Sequence, residues 1–354
     1  MSLSVGIVGL PNVGKSSLFR ALTAKPVEVA NYPFATIDPN VGVVKMPDER
    51  LDKLAAFFHS KNIVPAIVEF VDIAGLVKGA HEGEGLGNKF LTHIREVAAI
   101  VHVVRCFENP DIIHVENRVN PLEDIDTINT ELILKDIETL EKRLETIHKD
   151  VRAGKKEAVV QEQALAGLKE YFNQGKFARE YFEQFPESAE ILKELQFLTA
   201  KPVIFLLNAD TEIVSNSLKQ KIESQGASYL AMNIKDEMDM AGLSAEEARE
   251  LGMESKLPLL IKKAYEILNL ITFLTTGEDE SRAWTIARGT SAPQAAGVIH
   301  TDFEEKFIKA LVIPWDKLLE TGSYAEAASR GWVRTEGREY IVQDGDVIEV
   351  KHAA

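Results

Sequence analysis

The chain has 354 residues, 45% hydrophobic and 27% charged, with a formal net charge of −15 and a single cysteine, Cys106. That length allows two or three domains with cores of their own; the lone thiol has no internal disulfide partner, and the acidity argues against a broad grip on nucleic acid, which needs Lys and Arg to displace counterions from phosphates. No run approaches the ~20 apolar residues of a membrane helix, and no charged leader precedes the first strand, so a cytoplasmic protein without membrane contact is expected.

Taken in order, Ser4–Val8 reads as a short buried strand. It runs into Gly9-Leu10-Pro11-Asn12-Val13-Gly14-Lys15-Ser16, and helical spacing follows over Ser16–Thr23. A Gly-x-x-x-x-Gly-Lys-Ser run between a strand and a helix is the phosphate loop of P-loop nucleotide hydrolases. Its glycines let backbone N–H groups turn inward around a β-phosphate, and the helix dipole favours the anion. Asn12, Val13, Gly14, Lys15, Ser16 and Ser17 are therefore expected to bind the nucleotide. Lys15 would span the β- and γ-phosphates, and the Ser16 hydroxyl would ligate Mg2+.

The next segment, Asn31–Pro39 (NYPFATIDP), has little periodicity, and Thr36 is its candidate to complete Mg2+ coordination. Such a loop would order around the γ-phosphate and relax after hydrolysis. Ala66–Ile73 reads as a strand ending at Asp72-Ile73-Ala74-Gly75. The Asp72 carboxylate would hold a Mg2+-bound water, and the Gly75 N–H would sense the γ-phosphate. Residue 76 is Leu, which has no group to orient water as the glutamine of many small GTPases does. Another group must serve. Of the nearby histidines His81, His102 and His114, His102 lies inside the apolar strand Ile100–Val104 and is expected to be structural, which leaves His114 as the candidate.

From Ile133 the apolar positions Ile133, Ile137, Leu140, Leu144, Ile147 and Val151 step alternately by four and three. That seam predicts a helix packed along another, and Ala153-Gly154-Lys155-Lys156 breaks it before a second helix over 157–172. The expectation is an antiparallel hairpin; the alternative is two separate amphipathic surface helices. Acidic residues outnumber basic ones over 121–199 and again over 275–354, so neither region is a basic probe.

Val203–Leu207 reads as another buried strand, followed by Asn208-Ala209-Asp210-Thr211-Glu212. A guanine site wants Asn-Lys-x-Asp there. No Lys is present to stack on the ring, and Thr211 stands where the aspartate would be. ATP is thus favoured over GTP, although Asp210 or Glu212 could offer a carboxylate in a shifted register. A helix is expected near Pro258–Leu270. Strand-like Ala283–Ile286 and Val347–Val350, a helix over Asp302–Ala310, and turns at Gly337 and Asp344-Gly345 then describe a small α+β module.

These motifs closely resemble the YchF branch of Obg-like P-loop proteins, over nearly the whole chain. The strongest runs are GLPNVGKSSLF from Gly9, NYPFATIDPN from Asn31, DIAGLVKGAHEGEGLGNKFL from Asp72 and RAWTIARGTSAPQAAGVIHTDFEEKFIKA from Arg282. The last is similar to a TGS module, a ubiquitin-like β-grasp fold. The resemblance implies an adenine-preferring, Mg2+-dependent ATPase that lacks the catalytic glutamine and binds the ribosome, through its large subunit, its small subunit or both. It also implies that Asn208 and Ala209 meet the base, with Met232 and Asn233 on the following loop. Three positions depart from the family pattern: Thr211 replaces the usual Glu, Ala35 stands where many members carry cysteine, and the loop near Ala231 lacks the usual Ser-Ala pair.

The expected fold is α/β. A doubly wound P-loop domain spans 1–120 and 200–274, a helical hairpin is inserted at 121–199, and a TGS-like β-grasp module covers 275–354. The expected function is a monomeric ATPase acting as a nucleotide-dependent switch on the ribosome, in translation or stress regulation. Two alternatives are a stress-linked binding module whose nucleotide is mainly structural, and a metabolic phosphotransferase.

Overall fold

A computed structural model describes residues 4–25, 27, 38, 40–73, 91, 93–109, 118–211, 213–243 and 245–353. The chain forms two compact units. One holds the described residues of 1–24, 37–42 and 70–256, the other those of 25–36, 43–69 and 257–354. Residues 43–69 thus group with 257–354, although they precede most of the first unit along the chain.

In chain order the elements begin with β1 (Ser4–Val8), α1 (Lys15–Thr23), β2 (Val41–Lys45), α2 (Glu49–Phe58), β3 (Asn62–Val64), β4 (Ile67–Asp72) and β5 (Ala99–Arg105). The helical insertion contributes α3 (Pro121–Arg152), α4 (Lys156–Asn173), α5 (Ala178–Gln184) and α6 (Pro186–Ile191). The alternation then resumes with β6 (Val203–Asn208), α7 (Asn216–Glu223), β7 (Ser228–Met232), α8 (Ile234–Met240) and α9 (Ala245–Glu250). The first sheet has the order β2-β4-β1-β5-β6-β7, and β1–β5, β5–β6 and β6–β7 pair in parallel. A parallel sheet is covered on both faces, so its strands read as continuous apolar runs. All seven residues of β5 are buried accordingly.

Asn120 caps α3 by accepting from the Glu123 N–H, and Pro121 occupies the first turn, where its missing N–H costs nothing. The front of the helix buries Ile125 against β6 and α7 residues such as Phe205 and Leu218. Farther along, Ile133 and Leu140 pack with Leu165, Leu168 and Phe172 of α4, while Ile137 and Leu144 flank the same cluster. Gly154, at φ 75°, makes the turn between the helices. The seam therefore serves a hairpin and not two separate surface helices. Its base is pinned by Asp136, fully buried, which accepts from the Leu198 and Thr199 N–H groups at 2.7 and 2.8 Å and from the Thr199 hydroxyl at 2.7 Å. Burial pushes this carboxyl up to about 6 despite those three donors.

The second unit contains α10 (Leu257–Ile267), β8 (Leu270–Thr275), β9 (Glu280–Ala287), α11 (Ala292–Ile299), α12 (Thr301–Glu305) and β10 (Phe307–Pro314). It closes with α13 (Trp315–Thr321), α14 (Tyr324–Ser329), β11 (Arg334–Glu336) and β12 (Asp346–His352). Its sheet has the order β11-β10-β12-β8-β9-β3, with α11 packed through Ala292, Ala295 and Ala296 onto Phe273, Phe307 and Val312. A helix laid across a mixed sheet is the β-grasp arrangement.

Two expected helices here end early. Asp302–Ala310 divides after Glu305, because Phe307 starts a strand whose Ala310 pairs with Val350. The helix expected to reach Leu270 stops at Ile267; Asn269 turns left-handed at φ 54° and Leu270 opens β8. Pairing with distant strands overrides the local helical spacing in both places. Among the described residues, no helix is long and apolar enough to cross a membrane.

Candidate nucleotide site

β1 delivers the chain to a tight turn whose backbone explains its sequence. Gly9 has φ 154°, and a Cβ there would stand 2.4 Å from the Val103 carbonyl oxygen. Asn12 is left-handed at φ 61°. Gly14 has φ 106°, and a Cβ would meet Asn208 Nδ2 at 2.8 Å. Only glycine fits both the conformation and the space at those two positions.

Lys15 opens α1, and its side chain folds back so that Nζ donates to the Leu10 carbonyl at 2.7 Å. The residue is buried at 8% exposure. Burial lowers its pKa from 10.5 to about 8, against the opposing pull of the Asp72 carboxylate. A desolvated ammonium held against the carbonyl of a tight turn is suited to a polyphosphate, which supplies the charge partner that burial removes. His102 on β5 is pushed down to about 3 by burial and then by the Lys15 charge, and its ring lies 5.1 Å from Phe205. It is a neutral core residue, as expected.

Ser16 is exposed and Ser17 half-buried on the first turn of α1. Asp72 ends β4, where its N–H donates to the Asn40 carbonyl at 2.9 Å. A hydroxyl and a carboxylate suit Mg2+, a hard cation that takes few protein oxygens and keeps several waters. Among the described residues no group of three or more His, Cys, Asp or Glu side chains could hold a metal by itself. Thr36, Gly75 and His114, together with Ala35 and Leu76, lie outside the described residues.

The far end of the site is built by Asn208, the last residue of β6. Its Nδ2 donates to the Val13 carbonyl at 2.9 Å and its Oδ1 accepts from the Ile234 N–H at 3.1 Å. Asn208 thus ties the phosphate turn to the start of α8, and its side chain does not line the cavity beyond. Ala209 donates its N–H to the Met232 carbonyl at 3.0 Å, and Asn233 caps α8 by accepting from the Lys235 and Asp236 N–H groups. Ala209, Asp210, Thr211, Met232 and Asn233 line a cavity of about 200 Å³, with Asp236, Glu237, Glu254 and Lys256 on its other walls. Glu237, buried, accepts from the Ser255 hydroxyl at 2.6 Å and the Lys256 N–H at 2.7 Å; Lys256 Nζ reaches the Ala231 carbonyl at 3.1 Å. Sequence reasoning missed these four charged walls. The only signal was Asn233 followed by Asp236 and Glu237, a helix start with an acidic first turn.

A strand, a left-handed glycine turn, a buried lysine and a strand-end aspartate beside it define a P-loop nucleotide-binding protein. A family model described as "50S ribosome-binding GTPase" matches residues 4–149, and a second, YchF-GTPase_C, described as a protein of unknown function, matches 270–353. The chain is 47% identical to the "Ribosome-binding ATPase YchF" of Bacillus subtilis (strain 168), over 99% of both proteins. It is 41% identical to "Obg-like ATPase 1" of Oryza sativa subsp. japonica, over 99% of this chain and 92% of the relative. The structure of the Schizosaccharomyces pombe YchF GTPase superposes with a TM-score of 0.85 at 39% identity, covering 99% of this chain and 98% of that one. The chain belongs to the YchF family.

Proposed function

We propose that this chain is a Mg2+-dependent ATPase, preferring ATP to GTP, whose nucleotide state controls binding to the ribosome. The observation that carries the proposal is the buried Lys15, beside Asp72 and at the end of a turn that requires glycine at positions 9 and 14. Lys15 holds the β- and γ-phosphates; the backbone of Asn12, Val13 and Gly14 and the first turn of α1 at Ser16 and Ser17 surround them. Ser16 and Asp72, with Thr36, would hold Mg2+, which supplies neutralisation of charge on the phosphate oxygens. Gly75 reports the γ-phosphate, and His114 is the candidate to orient the attacking water in place of the glutamine absent at Leu76.

Adenine preference rests on the base segment. Asn208-Ala209-Asp210-Thr211 brings neither a stacking lysine nor a carboxylate at the fourth position, so guanine N1–H and N2–H2 would meet a single hydroxyl at Thr211 in place of paired carboxylate oxygens, with the Asp210 carboxylate one position earlier. Ala209, Met232 and Asn233 meet the adenine, with Asn208 holding their loop to the phosphate turn. The ribosome as partner is drawn from relatives that carry "ribosome-binding" in their names. On this reading 121–199 and 275–354 are the pieces that engage it, in the cytoplasm and as a monomer. Cosedimentation with purified ribosomal subunits tests the partner: association should differ between ATP and ADP states, and indifference to nucleotide would contradict the switch.

A further inference from the structure

Residues 43–69 lie between the two candidate nucleotide-responsive segments in sequence, yet they belong to the second unit. The chain leaves the nucleotide unit along β2, after Gly42, and returns along β4, at Phe70. These strands are neighbours in the sheet. At one end of them the Asp72 N–H donates to the Asn40 carbonyl at 2.9 Å; at the other the Met46 N–H donates to the Ala66 carbonyl at 2.8 Å.

Beyond Met46 the excursion is fastened to the C-terminal residues. Arg50 of α2 pairs with Asp48 and, at 2.7 Å, with Asp344, whose other oxygen accepts from the Thr272 N–H of β8 at 2.9 Å. Ser60 donates to the Gly277 carbonyl at 2.7 Å and lies 2.8 Å from the Ser281 hydroxyl. β3 then adds the edge strand, pairing in parallel with β9 at Asn62↔Glu280, Ile63↔Ser281 and Val64↔Arg282. The C-terminal sheet is thus completed by a strand drawn from the middle of the nucleotide-domain sequence.

We propose that this excursion is a relay by which the β-grasp unit senses the nucleotide. β4 is one continuous strand that begins in the second unit and ends at Asp72, beside Lys15. A ligand that favours one placement of Asp72 biases the far end of the strand as well, provided the two ends move together. The element set to respond is the β3–β9 seam, because a three-residue edge strand paired on one side sits at the low end of local stability. The inference rests on the Mg2+-nucleotide reading of the site.

Hydrogen exchange on the full chain tests it, comparing Mg2+ with a non-hydrolysable ATP analogue against Mg2+ with ADP. The expected result is an exchange-rate difference of about threefold or more at residues 62–64 and 280–282. Arg50→Ala and Ser60→Ala each loosen the fastening at a distance from the site; they should keep nucleotide affinity within about twofold and lose the difference at 280–282. Should Arg50→Ala fail to fold, the wild-type comparison and Ser60→Ala decide alone. Protection of residues 9–17 by nucleotide, with 62–64 and 280–282 indifferent to its state, overturns the relay and leaves nucleotide binding standing. Absence of protection at 9–17 overturns both. A variant that retains the full response overturns the part assigned to the fastening.

Discussion

The two ends of the nucleotide site are built on different plans. The phosphate end is one uninterrupted run, Gly9 to Ser17, in which backbone conformation does most of the work. The proposed base end is assembled from the end of β6, the β7–α8 junction and residues 254–256, and its walls are side chains. Asn208 joins the two, with one bond to Val13 and one to Ile234. A grip made of backbone leaves a fixed sequence spacing, whereas a pocket made of distant side chains leaves almost none.

That contrast can be broken at the phosphate end first. Lys15→Ala should lower hydrolysis by about a hundredfold or more, for ATP and GTP alike, because on the proposed reading it removes the charge that meets the transferring phosphoryl group. Phosphate release under saturating nucleotide measures it. Next in size is pH. The free-protein pKa of Lys15 is lowered to about 8, and bound triphosphate must raise it. Affinity should therefore be level below pH 8 and fall by up to about tenfold per pH unit above it, which calorimetry between pH 7 and 9.5 would show.

Asn208→Ala attacks the joint. It leaves the buried Val13 carbonyl and Ile234 N–H without that side chain, at a cost of about 1–3 kcal/mol, and should weaken binding of both purines. Denaturant unfolding and nucleotide titration read the two effects. The smallest change belongs to the base end. Thr211→Asp should shift the GTP-to-ATP affinity ratio up to about tenfold toward GTP, with ATP hydrolysis little altered. If Thr211→Asp instead weakened both nucleotides equally, the division between the two ends would be lost.

The same contrast governs what the sequence made legible. β1, the glycine turn and β5 could be read because a buried parallel strand is a continuous apolar run and the turn needs glycine at positions 9 and 14, where a Cβ fits neither the conformation nor the space. The hairpin could be read because its seam repeats over five turns. The break between α12 and β10 could not: DFEEKFIKA keeps helical spacing, and only the pairing of β10 with β12 makes Phe307 a strand residue. The placement of 43–69 was equally hidden, since β3 is a strand by virtue of β9, far along the chain. At the site, Lys15 announced itself by spacing, while Glu237 and Lys256 line the cavity beside Ala209 and are joined by a hydrogen bond that no local pattern records.

The central claim is that the Gly9–Ser17 turn, with Lys15 and Asp72, holds a Mg2+–nucleoside triphosphate and that the base end prefers adenine. Titration calorimetry of the purified protein with ATP and then GTP, at fixed salt in Mg2+, tests both halves at once. Binding of ATP at least about tenfold tighter than GTP, abolished for both by Lys15→Ala, is the predicted result. Equal affinities would contradict the adenine preference, and no heat with either nucleotide would contradict the site itself.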